Sequence, residues 1–143
     1  MIKGDVEFFL IALGAHEGDT LVTQALDKVG GEPTIDRYDD FGAEEKYLNM
    51  RDRGASFLII DGELDTIFFF ANKEGWTRYA EWNSLIEGVL PDVTPSQLVE
   101  ILGTPIEITD QYVFYQSSPG FLNFSFDGET LIRVAVLRYD LGA

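Results

Sequence analysis

The stretch Ala55-Ser56-Phe57-Leu58-Ile59-Ile60-Asp61-Gly62-Glu63-Leu64-Asp65-Thr66-Ile67-Phe68-Phe69-Phe70 decides the fold. Two apolar runs rich in β-branched and aromatic residues flank Asp61-Gly62. That pair favours the positive φ that both central residues of a tight hairpin turn require. The reading is a β-hairpin with strands at 55–60 and 64–70. Three consecutive aromatics, Phe68–Phe70, imply a strand covered on both faces, or one with a face left for a partner. Just upstream, Tyr47-Leu48-Asn49-Met50 alternates, which predicts another strand, and Arg51-Asp52-Arg53-Gly54 is the polar turn between them.

Further toward the N-terminus the period changes. Residues 5–14 read as a short helix with Val6, Phe9, Leu10 and Leu13 on one face and Gly14 as its stop. His16-Glu17-Gly18-Asp19 is a turn. Asp19 or Thr20 caps a second helix over 20–29, with Leu21, Val22, Ala25, Leu26 and Val29 at helical spacing. Gly30-Gly31 and Pro33 end it, and residues 34–46 are a polar, acid-rich stretch. On the other side of the hairpin, residues 72–92 form a loop-rich connector. Thr94-Pro95-Ser96-Gln97 then opens a third helix: Thr94 at the N-cap, Pro95 at the first helical position and Gln97 three residues on form a capping box. Gly103 and Pro105 close it. Strands follow at 112–115, 121–126 and 131–137, the last two joined by Asp127-Gly128-Glu129.

Two passages follow the same plan. A helix ending in Val29-Gly30-Gly31-Glu32-Pro33 leads to a strand, a Phe-rich strand, Asp61-Gly62-Glu63 and a further strand. A helix ending in Leu102-Gly103-Thr104-Pro105 leads to a strand, a Phe-rich strand, Asp127-Gly128-Glu129 and a further strand. The approximate units are 20–72 and 93–138, alike in pattern and not in strict register. They predict one curved antiparallel sheet built from two imperfect helix-plus-hairpin repeats.

The 143 residues make one domain, 1–143, long enough to bury its own core. The single His and the absence of Cys exclude a Cys–His nucleophile pair, a His-rich metal site and disulfides. No run of eighteen apolar residues offers a membrane span. The N-terminal apolar run, residues 8–13, is short and preceded by Asp5 and Glu7 instead of a basic region, so the expected location is cytoplasmic. The net charge is −15, which repels nucleic acid and anionic lipid. Residues 79–132 contain no Lys or Arg, while Glu81, Glu87, Asp92, Glu100, Glu107, Asp110, Asp127 and Glu129 fall among them. Two readings of that acidity compete: a solubilising surface, and a surface that steers a basic protein partner onto it.

The segment Thr94-Pro95-Ser96-Gln97-Leu98-Val99-Glu100-Ile101-Leu102-Gly103-Thr104-Pro105, with its aromatic-rich hairpins, resembles the helix-to-sheet unit of the β-lactamase-inhibitor-like and outer-membrane-assembly-lipoprotein-like domains. Those are small, non-catalytic protein binders. The layout as a whole also resembles small immunity proteins encoded beside bacterial toxins, many of which are acidic and bind their toxin directly. The resemblance covers the C-terminal third, with an echo in 20–72. The chain has neither the lipid-bearing cysteine of the assembly lipoproteins nor the cysteines of the secreted inhibitors, which favours the immunity type.

Candidate chemistry is sparse. His16 sits in a turn between helices, where a solvated histidine is the ordinary outcome. The acids of Asp36-Arg37-Tyr38-Asp39-Asp40-Phe41-Gly42-Ala43-Glu44-Glu45 do not match a calcium loop, and no glycine-rich loop opens a helix. Asp61, Glu63 and Asp65 alternate near a hairpin tip, as acids shaping a turn do and as a metal clasp or a paired-acid site would. Trp76, Tyr79 and Trp82 stand in the connector beside Glu81. Two readings stay open for them: interface anchors, or rings packed over the sheet.

These observations lead to an α+β fold: a curved antiparallel sheet of about five or six strands with helices on one face. The function they imply is that of a non-enzymatic acidic binder, an immunity protein against a basic toxin, without metal or cofactor. Partner binding falls to Trp76, Tyr79, Glu81, Trp82, Glu87, Asp110, Asp61, Glu63 and Asp65. Two other readings are a sensor domain that binds a small ligand or peptide in the concave side of the sheet, and a phage-type inhibitor of a host nucleic-acid enzyme.

Overall fold

The computed structural model describes residues 2–39 and 42–139. Helix α1 (Val6–Ala12) buries Val6, Phe9, Leu10 and Ala12 and ends where Leu13 turns extended. Helix α2 (Thr20–Val29) is capped by the Asp19 carboxylate, which accepts from the Leu21 amide at 2.9 Å, and buries Val22, Ala25 and Val29. Four strands follow: β1 (Thr34–Tyr38), β2 (Glu45–Met50), β3 (Ala55–Ile60) and β4 (Glu63–Phe70). A short helix α3 (Trp82–Leu85) and helix α4 (Pro95–Leu102) lead to four more: β5 (Glu107–Ile108), β6 (Tyr112–Ser117), β7 (Gly120–Asp127) and β8 (Thr130–Leu137). The capping box at α4 forms: the Gln97 amide donates to Thr94 Oγ1 at 3.3 Å, and Gln97 Oε1 accepts from the Thr94 amide at 3.0 Å.

All eight strands join one antiparallel sheet in the order β1-β2-β3-β4-β8-β7-β6-β5. The order is two four-stranded meanders set back to back, with β4 and β8 meeting at the seam. Each meander carries one bulge at the same place: Asp65 is the extra residue of β4 against β3, and Ile132 that of β8 against β7. The turns before the bulges differ. Asp61 and Gly62 both have positive φ, the I′ pattern. In the second hairpin Asp127 already pairs with Thr130, so the loop is Gly128-Glu129 and only Gly128 is left-handed. The two Asp-Gly-Glu triplets therefore sit one residue out of step.

Among the described residues there are eight strands where five or six were expected, and four helices where three were. The additional elements lie at the margins. All five residues of β1 are exposed, so no buried face imprints an alternation on its sequence, and β5 is two residues long. α3 is a single turn inside the connector.

One face of the sheet makes the core. The row Leu48, Phe57, Ile67, Val136, Leu122 and Tyr115 crosses six strands, and Met50, Ala55, Phe69, Val134, Phe124 and Val113 run parallel to it. Every buried helical side chain belongs to the same cluster as these rows. The connector closes one end of it. Tyr79, Trp82, Leu85, Ile86, Val89 and Val93 are buried there, with the Tyr79 ring 4.7 Å from that of Phe69. It crosses the β2–β3 turn so closely that a Cβ on Gly54, whose φ is +72, would collide with the Thr77 carbonyl and the Tyr79 amide.

Candidate functional site

Strand geometry sends alternate side chains to the opposite face, and among the described residues no helix covers that face. One row on it crosses all eight strands: Thr34, Asn49, Ser56, Phe68, Ala135, Asn123, Phe114 and Glu107. A second runs Asp36, Tyr47, Leu58, Thr66, Leu137, Phe121 and Gln116. Leu58, Phe70, Phe114 and Ala135 are buried yet stand outside the core cluster. Phe114 is only 1% exposed because neighbours on its own face, among them the stacked ring of Phe121 at 5.5 Å, surround it. The face is a second, shallower apolar layer, interrupted by the buried hydroxyls of Ser56 and Thr66.

Arg133 stands near its middle, paired in register with Phe70 and Ser125. Its guanidinium lies 4.7 Å from the Phe68 ring centroid, and burial pulls its pKa below the ordinary arginine value. Among the described residues no carboxylate comes within 4.0 Å of it. Beyond the end of β4, Trp76 stacks on Phe70 at 4.2 Å and carries Arg51 over its own ring at 4.6 Å. Asn123 contributes a buried side-chain oxygen without a hydrogen-bond partner.

At the β1–β2 end, Tyr38 and Tyr47 meet edge to face with ring centroids 5.8 Å apart. With Asp36, Glu45 and Asn49 they line a shallow groove of about 390 Å³. The Asn49 amide donates to the Asp36 carboxylate at 2.8 Å, and the Ser56 hydroxyl donates to the Asn49 carbonyl oxygen, so the carboxylate is held from below. The Tyr47 hydroxyl is pushed up in pKa, first by burial, then by the charge of Glu45, with Asp65 adding to it and Arg133 opposing. At the opposite end, Tyr112 donates its hydroxyl to Glu107 at 2.7 Å.

The expected partner-binding residues scatter. Of the connector aromatics, Trp76 alone reaches the open face. Tyr79 and Trp82 are 2% and 3% exposed, and Trp82 Nε1 donates to the Val89 carbonyl at 3.1 Å. They are core residues, because the connector folds its rings inward over the sheet end, and this corrects their reading as anchors. Glu81, Glu87 and Asp110 are exposed in separate loops. Asp61 accepts from the Glu44 amide at 3.0 Å as part of its turn. Glu63 accepts from Arg138 at 2.9 Å, with His16 at 3.9 Å, and the Arg138 hydrogen bond holds its carboxyl below the usual range. Asp65, in the bulge, accepts the Thr66 hydroxyl at 2.7 Å. These three acids serve the turn, the sheet seam and the bulge, and among the described residues no group of three or more potential ligands is placed to hold a metal ion.

The alternation Glu45, Tyr47, Asn49 against Lys46, Leu48, Met50 is the sequence signal that separates the two faces of β2. Arg133 carried no such signal: it stands one residue beyond a bulge, where period-two counting slips.

Helices on one side and an aromatic, polar face uncovered on the other define an open-faced α+β sheet domain. Among the described residues no helix is long and apolar enough to cross a membrane. Compared with protein-family models, curated proteins and solved structures, the chain finds no match in any of the three.

Proposed function

We propose that this chain is a non-catalytic, acidic binding protein of the cytoplasm that neutralises a bacterial toxin by docking it on the helix-free face of the sheet. The observation that carries this reading is the face itself. It presents Tyr38, Tyr47, Phe68, Trp76 and Phe121 at its surface over a packed second layer, without cover from any described element. Tyr and Trp supply large, stiff contact area at low entropic cost, and such rings around a desolvated centre are the usual anchors of an interface. Charge supports a basic partner. With a net charge of −15, long-range attraction speeds the approach of a cationic surface, and α4 together with β5, β6 and β7 contains no Lys or Arg. Neutralisation is then by occupancy: the sheet covers the toxin's working surface.

The test is retention of the native partner on the immobilised chain at low and high salt, followed by assay of the partner's toxic activity. The reading predicts a basic protein that is held at low salt, associates more slowly as salt rises, and loses its activity when bound. Retention of nothing, or of a protein whose activity is unchanged by binding, refutes it.

A further inference from the structure

Resting on that reading, we infer that the β1–β2 groove is a socket for a single arginine side chain of the partner. Three observations converge. The groove has two aromatic walls, Tyr38 and Tyr47, set nearly perpendicular at 83°, and Tyr38 is 48% exposed. A ring face attracts a cation electrostatically, and guanidinium, being planar and weakly hydrated, stacks where ammonium cannot. The groove also has two carboxylates, Asp36 and Glu45, and Asp36 is already positioned by Asn49 at 2.8 Å. A guanidinium stacked on a ring still presents its N–H edge, and a carboxylate at the rim accepts from it.

The third observation is what the protein does with its own cations. Arg51, Arg133 and Arg138 each lie over an aromatic ring, within 4.6–4.9 Å of Trp76, Phe68 and Tyr139. Among the described residues none lies over Tyr38 or Tyr47. The adjacent bases are directed elsewhere: Arg37 and Lys46 pair with each other on the helix side of the sheet, where Lys46 is bound to Glu17. Arg133 acts on Tyr47 from its seat over Phe68, where its own ring partner already holds it. Aromatic walls and two carboxylates, Asp36 held by Asn49 and Glu45 beside it, are in place, and the partner supplies the cation.

The experiment titrates the ¹⁵N-labelled chain with a capped hexa-arginine peptide, the equivalent citrulline peptide and hexalysine. Saturable shifts are expected at the amides of 36–38 and 45–49 with arginine and none with citrulline, the neutral isostere. Hexalysine should bind more weakly. Tyr38→Ala should cost about three- to fivefold in affinity, as an exposed cation–π contact does, with the rest of the spectrum unmoved. Glu45→Gln should weaken binding as well. Shifts centred on 79–132, hexalysine binding as tightly as hexa-arginine, or a Tyr38→Ala variant of unchanged affinity would each overturn the socket. The two proposals separate cleanly. If the native partner binds Tyr38→Ala as it binds wild type, the socket fails and the docking face stands. If the peptide binds here while no protein partner exists, the docking function fails and the socket stands.

Discussion

Arg133 of β8 reaches across the seam between the two meanders and places its guanidinium 4.7 Å from the ring centroid of Phe68 on β4. The contact lies where the two halves meet, on the face that no described helix covers. It holds a half-buried cation on an aromatic ring. Replacing Arg133 with Met keeps the length of the side chain and removes the charge. The fold should tolerate it, because burial already opposes that charge. Partner affinity should fall about tenfold or more if the guanidinium meets the partner, as central interface arginines do. Calorimetric titration measures it.

The connector separates core from surface among its three aromatics. Trp82→Ala should cost about 3–5 kcal/mol, since a fully packed ring leaves a cavity behind. Trp76→Ala should cost much less, because its ring is only partly buried, against Phe70 and Arg51. Urea denaturation of the two variants checks this, and equal losses would put Trp76 in the core.

Tyr79 has the opposite property. Its ring packs on Phe69, while its hydroxyl is buried without a partner, and burial pushes its pKa upward. Tyr79→Phe removes an unsatisfied polar atom and keeps the ring, so stability should hold or rise by about 1 kcal/mol. A loss of that size in the denaturation midpoint would mean that the hydroxyl is hydrogen-bonded in solution.

The Glu63–Arg138 pair ties the start of β4 to the end of β8. Its hydrogen bond holds the Glu63 carboxyl below the ordinary value of 4.5. A depressed folded-state pKa makes a contribution that is complete above the unfolded value and is lost as pH falls through the folded one. The melting-temperature difference between wild type and Glu63→Gln should therefore be present at neutral pH and close in acid. A difference that persists at the lowest pH would have another origin.

Much of the fold was legible because local chemistry and tertiary structure agree. Asp19 and Thr94 cap the helices that they announce, and Asp61-Gly62 turns the hairpin that it announces. Strand β1 was illegible for a physical reason: an edge strand exposed on every residue has no buried face, hence no period. The triplet at 127–129 looked like a copy of 61–63, yet a one-residue shift makes Gly128 the first turn residue instead of the second. The site was harder still. Tyr38 and Tyr47 lie nine residues apart in sequence and meet because β1 pairs with β2, a register set by a strand the sequence did not reveal. Trp82 and Tyr79 carried the composition of anchors, and only packing distinguishes an anchor from a core ring.

The central claim is which face binds, and one matched pair of substitutions decides it. Asn123→Arg puts a long cationic side chain in the middle of the open face, where the Asn123 oxygen has no hydrogen bond to lose. Ile11→Arg puts the same side chain on α1, on the opposite side, at a position 59% exposed. Dissociation constants for the retained partner should rise at least about tenfold for Asn123→Arg and stay at the wild-type value for Ile11→Arg, as expected of central and remote positions. Unchanged binding by Asn123→Arg, with loss in Ile11→Arg, would contradict the account and place the partner on the helices.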